Sequence, residues 1–336
     1  MDPLIQYLPD LESEMRHLVA SHTHGPDLMV GMMRYHLGWV DRDFQPVDLP
    51  AGKRIRPIIL LLASEAQGGW RQQALPAAAA IELLHNFTLI HDDIEDGDQL
   101  RRGRPTLWSI WGVPQAINAG DAMFAISYRA LLSLPDRGVS ATRTVAAAQC
   151  YTEAVLHITE GQCLDIGFET DDEINEAQYL AMIGGKTAAL TGLAAEVGAI
   201  IAGAGDARRA ALREFGKSLG QAFQMYDDLL GLWGDPEKTG KPVGSDLVKR
   251  KKTLPILHGI RSSAAFRDLL AGQALTKTGI PKALAELERS GSRAYTEAQA
   301  QHFHDQALAA LQCSGGTGTA QEALHALAER LLGREA

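Results

Sequence analysis

The sequence predicts an all-α protein, and three observations lead to that prediction. Apolar residues recur at helical spacing through most of the 336 residues. Alternating β-branched segments of the kind that form half-buried strands are essentially missing. The 46% of hydrophobic residues suffices for a large core, and neither a low-complexity linker nor an internal repeat divides the chain. We therefore expect one large all-α domain over residues 1–336.

Helical periodicity, bounded by Gly and Pro, defines the individual elements. In chain order the predicted helices are 58–67, 76–91, 114–134, 142–164, 186–202, 207–230, 281–288, 293–311 and 319–332. The most apolar stretch is 187–205. Glu196 interrupts it, and a membrane span needs about 20 strongly apolar residues, so we expect a buried helix there and no membrane span.

Charge and cysteine content narrow the function classes. The net charge of −9, with acids and bases well mixed, argues against a nucleic-acid partner, which would need a basic face. Cys150, Cys163 and Cys313 form no CxxC pair, so neither a zinc site nor a disulfide framework is indicated. The N-terminus shows no signal-peptide pattern. A reduced, cytoplasmic location is the simplest expectation.

A carboxylate cluster followed at once by an arginine cluster is the strongest functional signal. Its members are Asp92, Asp93, Asp96, Arg101 and Arg102. If residues 76–96 form one helix, Asp92 and Asp96 share a face. Such paired carboxylates suit Mg²⁺, which usually takes one or two of them together with phosphate oxygens. A solvated acidic helix end is the plainer alternative, but the apolar run before the cluster and the arginines after it favour a metal–phosphate site.

A second pair, Asp227 and Asp228, ends an apolar segment. If the two carboxylates close a helix they oppose its dipole, and a metal is a candidate for compensation. The alternative is a helix that continues to Trp233 with Asp228 exposed. The following Gly- and Lys-rich loop carries Lys241 and Lys251 and predicts a lid that closes over phosphate, although a solvated basic face is the commoner origin of such a run.

Two shorter segments also indicate anion binding. In the segment 52–57, Lys53 and Arg56 fall in the first turn of an apolar helix, where cations oppose the dipole unless an anion lies between them. The alternative is that Lys53 and Arg54 are plain surface charges. Lys186 and Thr187 follow a glycine but lack the spacing of a nucleotide-binding P-loop.

Taken together, these residues resemble the trans-polyprenyl diphosphate synthases, the family of farnesyl and geranylgeranyl diphosphate synthases. The resemblance covers roughly residues 28–335, and its pieces occur in the family's order. They are 52–57, the DDxxD at 92–96, 100–106, Gly120-Asp121, Gly161-Gln162 with Asp165, Lys186-Thr187, Phe223-Gln224 with Asp227-Asp228, Gly240-Lys241, Asp246, and Lys251 with 253–255. The resemblance implies an all-α bundle around a deep central cavity, usually a homodimer, that condenses isopentenyl diphosphate with an allylic diphosphate.

The resemblance also assigns roles to residues. Isopentenyl diphosphate would be held by Lys53, Arg56, His85 and Arg102. The catalytic aspartates would be Asp92, Asp93, Asp96, Asp227 and Asp228, of which Asp92, Asp96 and Asp227 ligate three Mg²⁺ ions. The allylic diphosphate would be contacted by Arg101, Lys186, Thr187, Gln224, Lys241 and Lys251. Both aspartate clusters are then expected to grip one magnesium diphosphate beside an apolar hollow.

One position departs from the family pattern. Gly231 stands where the second DDxxD has its last aspartate. If that aspartate supports the metal through water, activity survives with weaker metal binding. If it is essential, the chain is a non-catalytic subunit of a heteromeric synthase or an altered enzyme. The presence of Asp235, Asp246 and the lid lysines favours an active enzyme.

Product length depends on the helix before the first aspartates. Phe87 and Thr88 precede Asp92 by five and four residues, about 6–8 Å deeper along a helix. A ring at Phe87 would cap a tunnel and a small Thr88 would leave some room. This pairing resembles archaeal geranylgeranyl synthases and favours a C20 product over C15 or longer chains. Alternatively, Phe87 is a core aromatic and a neighbouring helix sets the floor.

A class I terpene cyclase is a rival from another enzyme class. Such an enzyme also ionises a diphosphate with Mg²⁺ at an aspartate-rich motif, but without a co-substrate. It would have no use for the proposed isopentenyl diphosphate residues Lys53, Arg56 and Arg102, whose presence favours chain elongation.

Overall fold

The computed structural model describes residues 5–21, 27–47, 49, 52–169, 171, 173–236, 242–271 and 279–332. Within these ranges the chain is almost entirely helical, as predicted. The helices are α1 Leu8–Ser21, α2 Asp27–His36, α3 Ile55–Ala66, α4 Arg71–Glu95, α5 Leu107–Trp111, α6 Val113–Leu132, α7 Ala141–Phe168, α8 Glu176–Ile183, α9 Ala189–Ala202, α10 Asp206–Trp233, α11 Ser245–Val248, α12 Leu254–Ser262, α13 Ala264–Ala271, α14 Gly279–Arg289, α15 Ser292–Cys313 and α16 Gly318–Leu332. A π-helical turn, Gly184–Ala188, joins α8 to α9, and 3₁₀ turns occupy Ile5–Tyr7 and Leu134–Arg137.

Short extended segments interrupt the helices at one functional motif. Strands β1 (Leu100–Arg101) and β2 (Arg104–Pro105) pair antiparallel as a hairpin. Two residues per strand are too few for a period-two pattern, so periodicity did not indicate them.

Contacts divide the chain into two compact units. The first unit comprises Met1–Tyr151, Ala194–Gly205 and Thr317–Ala323. Within it, α4 packs against α1, α3 and α6. A run of four buried alanines, Ala77–Ala80, lies on α4, and such small side chains allow neighbouring helices to approach closely. The prediction of a single domain over the whole chain stays a prediction.

The second unit comprises Thr152–Leu193, Asp206–Gly316 and Leu324–Ala336. Its central helix is α10, which packs against α15 and the π-helical turn. One apolar cluster there includes Tyr179, Met225 and Leu254. A second includes Leu232 and Phe266. These clusters fix both ends of the aspartate-bearing part of α10.

The most apolar region of the sequence is an interior one. Among the described residues, one stretch, Glu176–Ala202, has the length and composition of a membrane span, yet 83% of its most apolar window is buried inside the protein. Glu196 is itself only 6% exposed. The stretch therefore packs as core helix, in line with its content of small residues.

Candidate active site

The first aspartate cluster lies at the C-terminal end of α4, and its carboxylates have different surroundings. Asp92 is half-buried, and Asp96, the C-cap residue, is exposed. Asp93 is buried and accepts a 2.6 Å hydrogen bond from Nε of Arg101. Burial raises the pKa of the Asp93 carboxyl, and Arg101 opposes that shift. Asp92 and Asp96, four residues apart, form the pair better placed for a metal.

The arginine cluster forms the β1–β2 hairpin. Arg102 and Gly103 occupy its two-residue turn with φ of 53° and 75°, the positive values that a type I′ turn requires at both positions. The guanidinium of Arg102 lies against Gly52, since a Cβ on that glycine would be 2.9 Å from Nη2. Gly52 has φ of 81°, so a side chain there would be strained as well as obstructive. The hairpin thus brings Arg102 to the segment that carries Lys53.

Arg56 of α3 meets His85 of α4. Nη1 of Arg56 lies 3.3 Å from Nε2 of His85. Burial, followed by the charges of Arg56 and Arg102, holds the pKa of His85 well below its ordinary value. The structure therefore brings together Arg56, His85 and Arg102 from three separate elements, with Lys53 exposed beside Gly52. This low pKa favours a neutral imidazole among the cations, and a bound anion would oppose the shift by raising the pKa.

A pocket of about 390 Å³ opens beside the hairpin within the first unit. The titratable side chains that line this pocket are His36, Asp93, Arg101, Arg102 and Arg104. Arg104 donates to the carbonyl oxygen of Tyr35 at 2.9 Å and therefore fixes the pocket wall. His36, at the end of α2, was not predicted, because no charged motif surrounds it in the sequence. Burial, followed by Arg101 and Arg102, lowers the pKa of His36 to about 3.

Arg54 belongs to the interior rather than to the surface. The alternative that Lys53 and Arg54 are both plain surface charges is wrong for Arg54, which is 4% exposed. It pairs with Glu82 at 2.5 Å and with Glu12 at 2.9 Å. Asn86 donates a further 2.9 Å hydrogen bond to Glu82. A positive φ of 47° at the start of α3 accompanies this inward course of the arginine. This network ties α1, α3 and α4 together beneath the Gly52–Lys53 segment.

The predicted chain-length residues lie one to two turns before the aspartates on α4. Phe87 is half-buried and stacks on Phe124 of α6, with ring centres 4.9 Å apart. Phe124 packs edge-on against Tyr128 at 5.3 Å, and Tyr128 against Tyr151 at 4.8 Å. Thr88 is half-buried and donates to a carbonyl one turn earlier. Phe87 is thus the first ring of an aromatic row, and the neighbouring helix α6 supports it.

The second aspartate pair lies inside α10 and not at its end. The helix continues to Trp233, so the expectation that Asp227 and Asp228 close it is wrong, and with it the dipole argument. Apolar residues at helical spacing, including Leu229 and Leu232, carry the helix onward. The alternative of an exposed Asp228 is also wrong, because its exposure is only 4%. Asp227 is half-buried.

Asp228 is held by a connected set of donors. It accepts hydrogen bonds from Tyr179 Oη at 2.6 Å, from Gln224 Nε2 at 3.1 Å and from the Leu254 N–H at 3.3 Å. Thr187 donates to the Oε1 of Gln224 at 2.9 Å. Burial raises the pKa of Asp228 to about 7 despite these donors. Gln224 and Thr187 are therefore joined to the aspartate motif by direct hydrogen bonds.

Lys186 lies in the π-helical turn beside α7. Its Nζ is 2.5 Å from Oδ2 of Asp165. Two glycines permit this approach, because a Cβ on Gly161 would lie 2.7 Å from the carbonyl carbon of Gly185. Single π turns within helices occur frequently at functional sites. The resemblance marked Gly161 with Asp165 as one piece and Lys186 as another, and the structure joins the two pieces.

The predicted lid is described only in part. Lys241 lies outside the described residues, as do the four residues before it. Lys251 is exposed, and its N–H donates to the carbonyl oxygen of Asp246 at 3.0 Å. The loop therefore returns through the short helix α11 to the start of α12.

The donor set fits Mg²⁺. Among the residues that the structure describes, no three of His, Cys, Asp and Glu come together as a complete metal cage. Mg²⁺ does not need such a cage, since it usually binds one or two carboxylates together with substrate phosphate oxygens and waters. Asp92 and Asp96 offer two such hard oxygen ligands in the first unit, and Asp227 offers one in the second.

Comparison with known proteins identifies the family of this helical protein. Residues 39–287 match the family model described as polyprenyl synthetase. The chain belongs to the polyprenyl synthetase family. The resemblance to trans-polyprenyl diphosphate synthases is thereby confirmed, and the protein is a prenyltransferase.

Relatives and solved structures agree with that assignment. The chain is 43% identical to the geranylgeranyl diphosphate synthase of Mycobacterium tuberculosis over 285 residues, which is 83% of this chain and 80% of the relative. It is 41% identical to the (2E,6E)-farnesyl diphosphate synthase of Mycobacterium bovis over 82% of this chain and 78% of the relative. The crystal structure of a polyprenyl synthetase from Streptomyces coelicolor A3(2) superposes with a TM-score of 0.89 at 33% identity and covers 97% of both chains.

Proposed function

We propose that this chain catalyses the Mg²⁺-dependent head-to-tail condensation of isopentenyl diphosphate with an allylic diphosphate, and that its main product is geranylgeranyl diphosphate. The observation that carries the proposal is the convergence of Arg56, His85 and Arg102 beside Gly52. Guanidinium groups bind phosphate oxygens through forked, charge-assisted hydrogen bonds. Relatives named as geranylgeranyl and farnesyl synthases support the same reaction.

Isopentenyl diphosphate is assigned to the first unit. Lys53, Arg56 and Arg102 provide cationic donors, and His85 gains a proton or donates from its neutral ring when the anion is bound. Arg54 takes no part in binding, because Glu82 and Glu12 already occupy its guanidinium. Arg56→Met is therefore expected to raise KM for isopentenyl diphosphate more than KM for the allylic substrate.

The allylic diphosphate is assigned to the aspartates and their neighbours. Asp92, Asp96 and Asp227 are proposed to hold three Mg²⁺ ions with the diphosphate, while Asp93 and Asp228 orient Arg101 and Gln224 through the hydrogen bonds described above. The proposed diphosphate contacts are Arg101, Lys186, Thr187, Gln224, Lys241 and Lys251. Thr187 and Lys251 are supported least directly, since Thr187 is engaged by Gln224 and Lys251 is exposed.

The chemistry follows from charge. Breaking the allylic carbon–oxygen bond leaves pyrophosphate and a carbocation, and Mg²⁺, when bound, neutralises charge on the leaving group. Arg101 and Lys186 donate to oxygens on which negative charge develops. The isopentenyl double bond then attacks the cation, and pyrophosphate accepts the proton that is lost. Apolar side chains such as Phe87 and Phe124 keep water from the cation.

The C20 product is proposed from the aromatic row. Phe87 closes the space below the aspartates, and its stacking on Phe124 keeps it from swinging aside. Thr88 leaves room that a second aromatic ring would fill. The relatives include both C15 and C20 synthases by name, so farnesyl diphosphate or a longer chain is the alternative product.

One incubation tests the function. The purified chain is mixed with Mg²⁺, an allylic diphosphate and isopentenyl diphosphate, and pyrophosphate release is followed. Release only when isopentenyl diphosphate is present is the expected result. Release without it would indicate cyclisation, and no release would indicate a non-catalytic subunit. Chromatography of the dephosphorylated products then gives chain length.

We also propose a homodimer in the cytoplasm. Val145 and Leu156 lie eleven residues, about three turns, apart on one face of α7 and are 57% and 59% exposed. Large aliphatic side chains exposed on one helix face suit contact with a second copy. Cys150, Cys163 and Cys313 form no disulfide, which suits a reducing compartment. Val145→Glu with Leu156→Glu is expected to shift the mass measured by light scattering from dimer to monomer.

A further inference from the structure

Position 231 is a glycine in the last turn of α10. Glycine is a poor helix former compared with alanine, so its presence there needs an explanation. Gly231 is buried and lies four residues after Asp227, so the two positions share one helix face. The structure shows what occupies the space that a side chain at 231 would fill.

That space belongs to the carboxylate of Asp246, which α11 carries. A Cβ on Gly231 would lie 2.6 Å from Cγ of Asp246 and closer still to one of its oxygens. Asp246 is 8% exposed. Ser245 fixes the contact, because its Oγ donates to the carbonyl oxygen of Gly231 at 3.1 Å and to Oδ1 of Asp246 at 3.4 Å. The Gly244 N–H also donates to the carbonyl of Leu232 at 3.1 Å.

We propose that Asp246 supplies the carboxylate that the second aspartate motif lacks at position 231, and that a carboxylate fits at 231 or at 246 but not at both. The Cβ atoms of positions 227 and 231 lie about 5–6 Å apart on one helix face, and the Asp246 carboxylate occupies the Cβ place at 231, so it lies about one turn from Asp227. It is a positioning residue that supports the Mg²⁺ held by Asp227, through water. The proposal rests on the proposed function, because it assumes that Asp227 holds Mg²⁺.

The local electrostatics agree with this placement. The charge of Asp246 is one of the causes that raise the pKa of Asp228, so the two carboxylates lie close together. A third carboxylate at 231 would add repulsion to the steric overlap. Replacing Gly231 in an otherwise unchanged chain should therefore damage the fold, whereas replacing it together with Asp246 should not.

A double-mutant cycle tests the pairing. Gly231→Asp, Asp246→Ala and the double variant are compared by thermal unfolding, alone and with Mg²⁺ plus inorganic pyrophosphate. Gly231→Asp is expected to lower the melting temperature by several degrees, and the double variant to recover most of that loss. Asp246→Ala is expected to reduce the stabilisation by magnesium pyrophosphate at least twofold, and the double variant to restore it. Asp206→Asn, which removes an exposed carboxylate at the opposite end of the same helix, is the control and should behave as wild type.

Each outcome decides a stated part of the proposal. If Gly231→Asp is as stable as wild type, the claim that carboxylates cannot be present at positions 231 and 246 together is wrong. If magnesium pyrophosphate stabilises the double variant no better than Asp246→Ala, the claim that Asp246 supplies the carboxylate absent at position 231 is wrong. This comparison remains valid even if Gly231→Asp alone fails to fold. A wild-type chain with no such response would overturn the metal role itself, and with it the proposed function, while the melting temperatures without ligand still decide the exclusion.

Discussion

At the scale of single residues, the two aspartate motifs show how surroundings divide tasks among identical side chains. Asp93 is buried against Arg101, and Asp228 is buried among three hydrogen-bond donors. Asp92 and Asp227, one position earlier in each motif, are only half-buried. The first aspartate of each pair is therefore better suited to a metal, and the second to holding its neighbours in place.

Removing the first aspartate of either motif should abolish most of the activity. Asp92→Ala or Asp227→Ala is expected to lower kcat by about two to three orders of magnitude, the cost typical of losing one charge-stabilising group in an active site. The far-ultraviolet circular dichroism should stay unchanged. Glu95→Gln, which alters an exposed carboxylate in the same turn of α4, is the control. Near-normal turnover in either alanine variant would contradict the metal assignment.

The aromatic row makes a prediction about product length. Phe87→Ala removes the ring at the proposed floor and is expected to shift the main product to longer chains. Phe124→Ala should lengthen products as well, because Phe87 loses its stacking partner. Tyr128→Phe keeps the ring next to Phe124 and should leave the product unchanged. Product chromatography gives the answer, and an unaltered distribution in Phe87→Ala would show that the floor lies elsewhere.

Local sequence could predict the residues whose partners are near in the chain and could not predict the others. Asp92, Asp96 and His85 share a helix face, so spacing alone groups them. His36 reaches the arginines only through the packing of α2, and no neighbouring residue marks it. Arg54 was indistinguishable from a surface charge, because its partner Glu82 lies 28 residues away.

At the scale of elements, close helix contacts through glycine position the cations of the second unit. Gly161→Ala would push α7 away from the π-helical turn and separate Lys186 from Asp165. We expect a loss of about 1–3 kcal/mol in unfolding free energy, as for overpacked sites, together with lower turnover. Denaturant unfolding and steady-state kinetics measure the two effects.

The same helix offers a matched control for that substitution. A Cβ on Gly167 would meet no atom within 4 Å, so Gly167→Ala should raise stability by about 0.5–1 kcal/mol through helix propensity. Equal effects of the two substitutions would show that the contact of α7 with the π-helical turn does not constrain Gly161.

The buried ion network that joins α1, α3 and α4 makes a prediction about stability. Arg54→Met leaves Glu82 buried without its cation, and breaking such a pair from one side costs about 3–5 kcal/mol. Denaturant unfolding should show a loss of this size. Lys53→Met, at the exposed neighbouring position, should change stability by no more than about 0.5 kcal/mol. A loss below about 1 kcal/mol in Arg54→Met would contradict the structural role of the pair.

Helices with a clear apolar stripe were predictable, while those that depend on their neighbours were not. All nine predicted helices occur, and their ends differ from the observed ones by at most five residues. No prediction covered helices α1, α2, α5, α8, α11, α12 and α13. The first two combine polar residues with a modest apolar face, and α11 has only four residues, so tertiary contacts decide their conformation. The hairpin at Arg102 follows from turn geometry, which periodicity does not detect.

At the scale of the whole molecule, an acidic protein concentrates positive charge around two half-buried histidines. The net charge is −9, yet Arg101 and Arg102 are among the charges that lower the pKa of both His36 and His85. Such local fields, rather than net charge, determine which ligand a pocket attracts. A mixed composition argues against a nucleic-acid surface without excluding a diphosphate pocket.

These histidines predict how stability depends on pH. The pKa of His36 is about 3 in the folded protein and about 6.5 in an unfolded chain, so between these values the unfolded state binds more protons. The contribution of His36 to the free energy of unfolding is therefore fully present above about pH 6.5. It is lost as the pH falls toward 3, by up to about 1.4 kcal/mol per pH unit. His85 acts in the same direction.

The variant His36→Asn tests this dependence, because it removes the contribution of His36. The unfolding free energy of the variant should rise relative to that of wild type as the pH is lowered from 7 to about 4. His17→Asn, at an exposed position of α1, controls for replacing an imidazole as such. Parallel unfolding curves for wild type and His36→Asn across this pH range would show that His36 is not held neutral among the arginines.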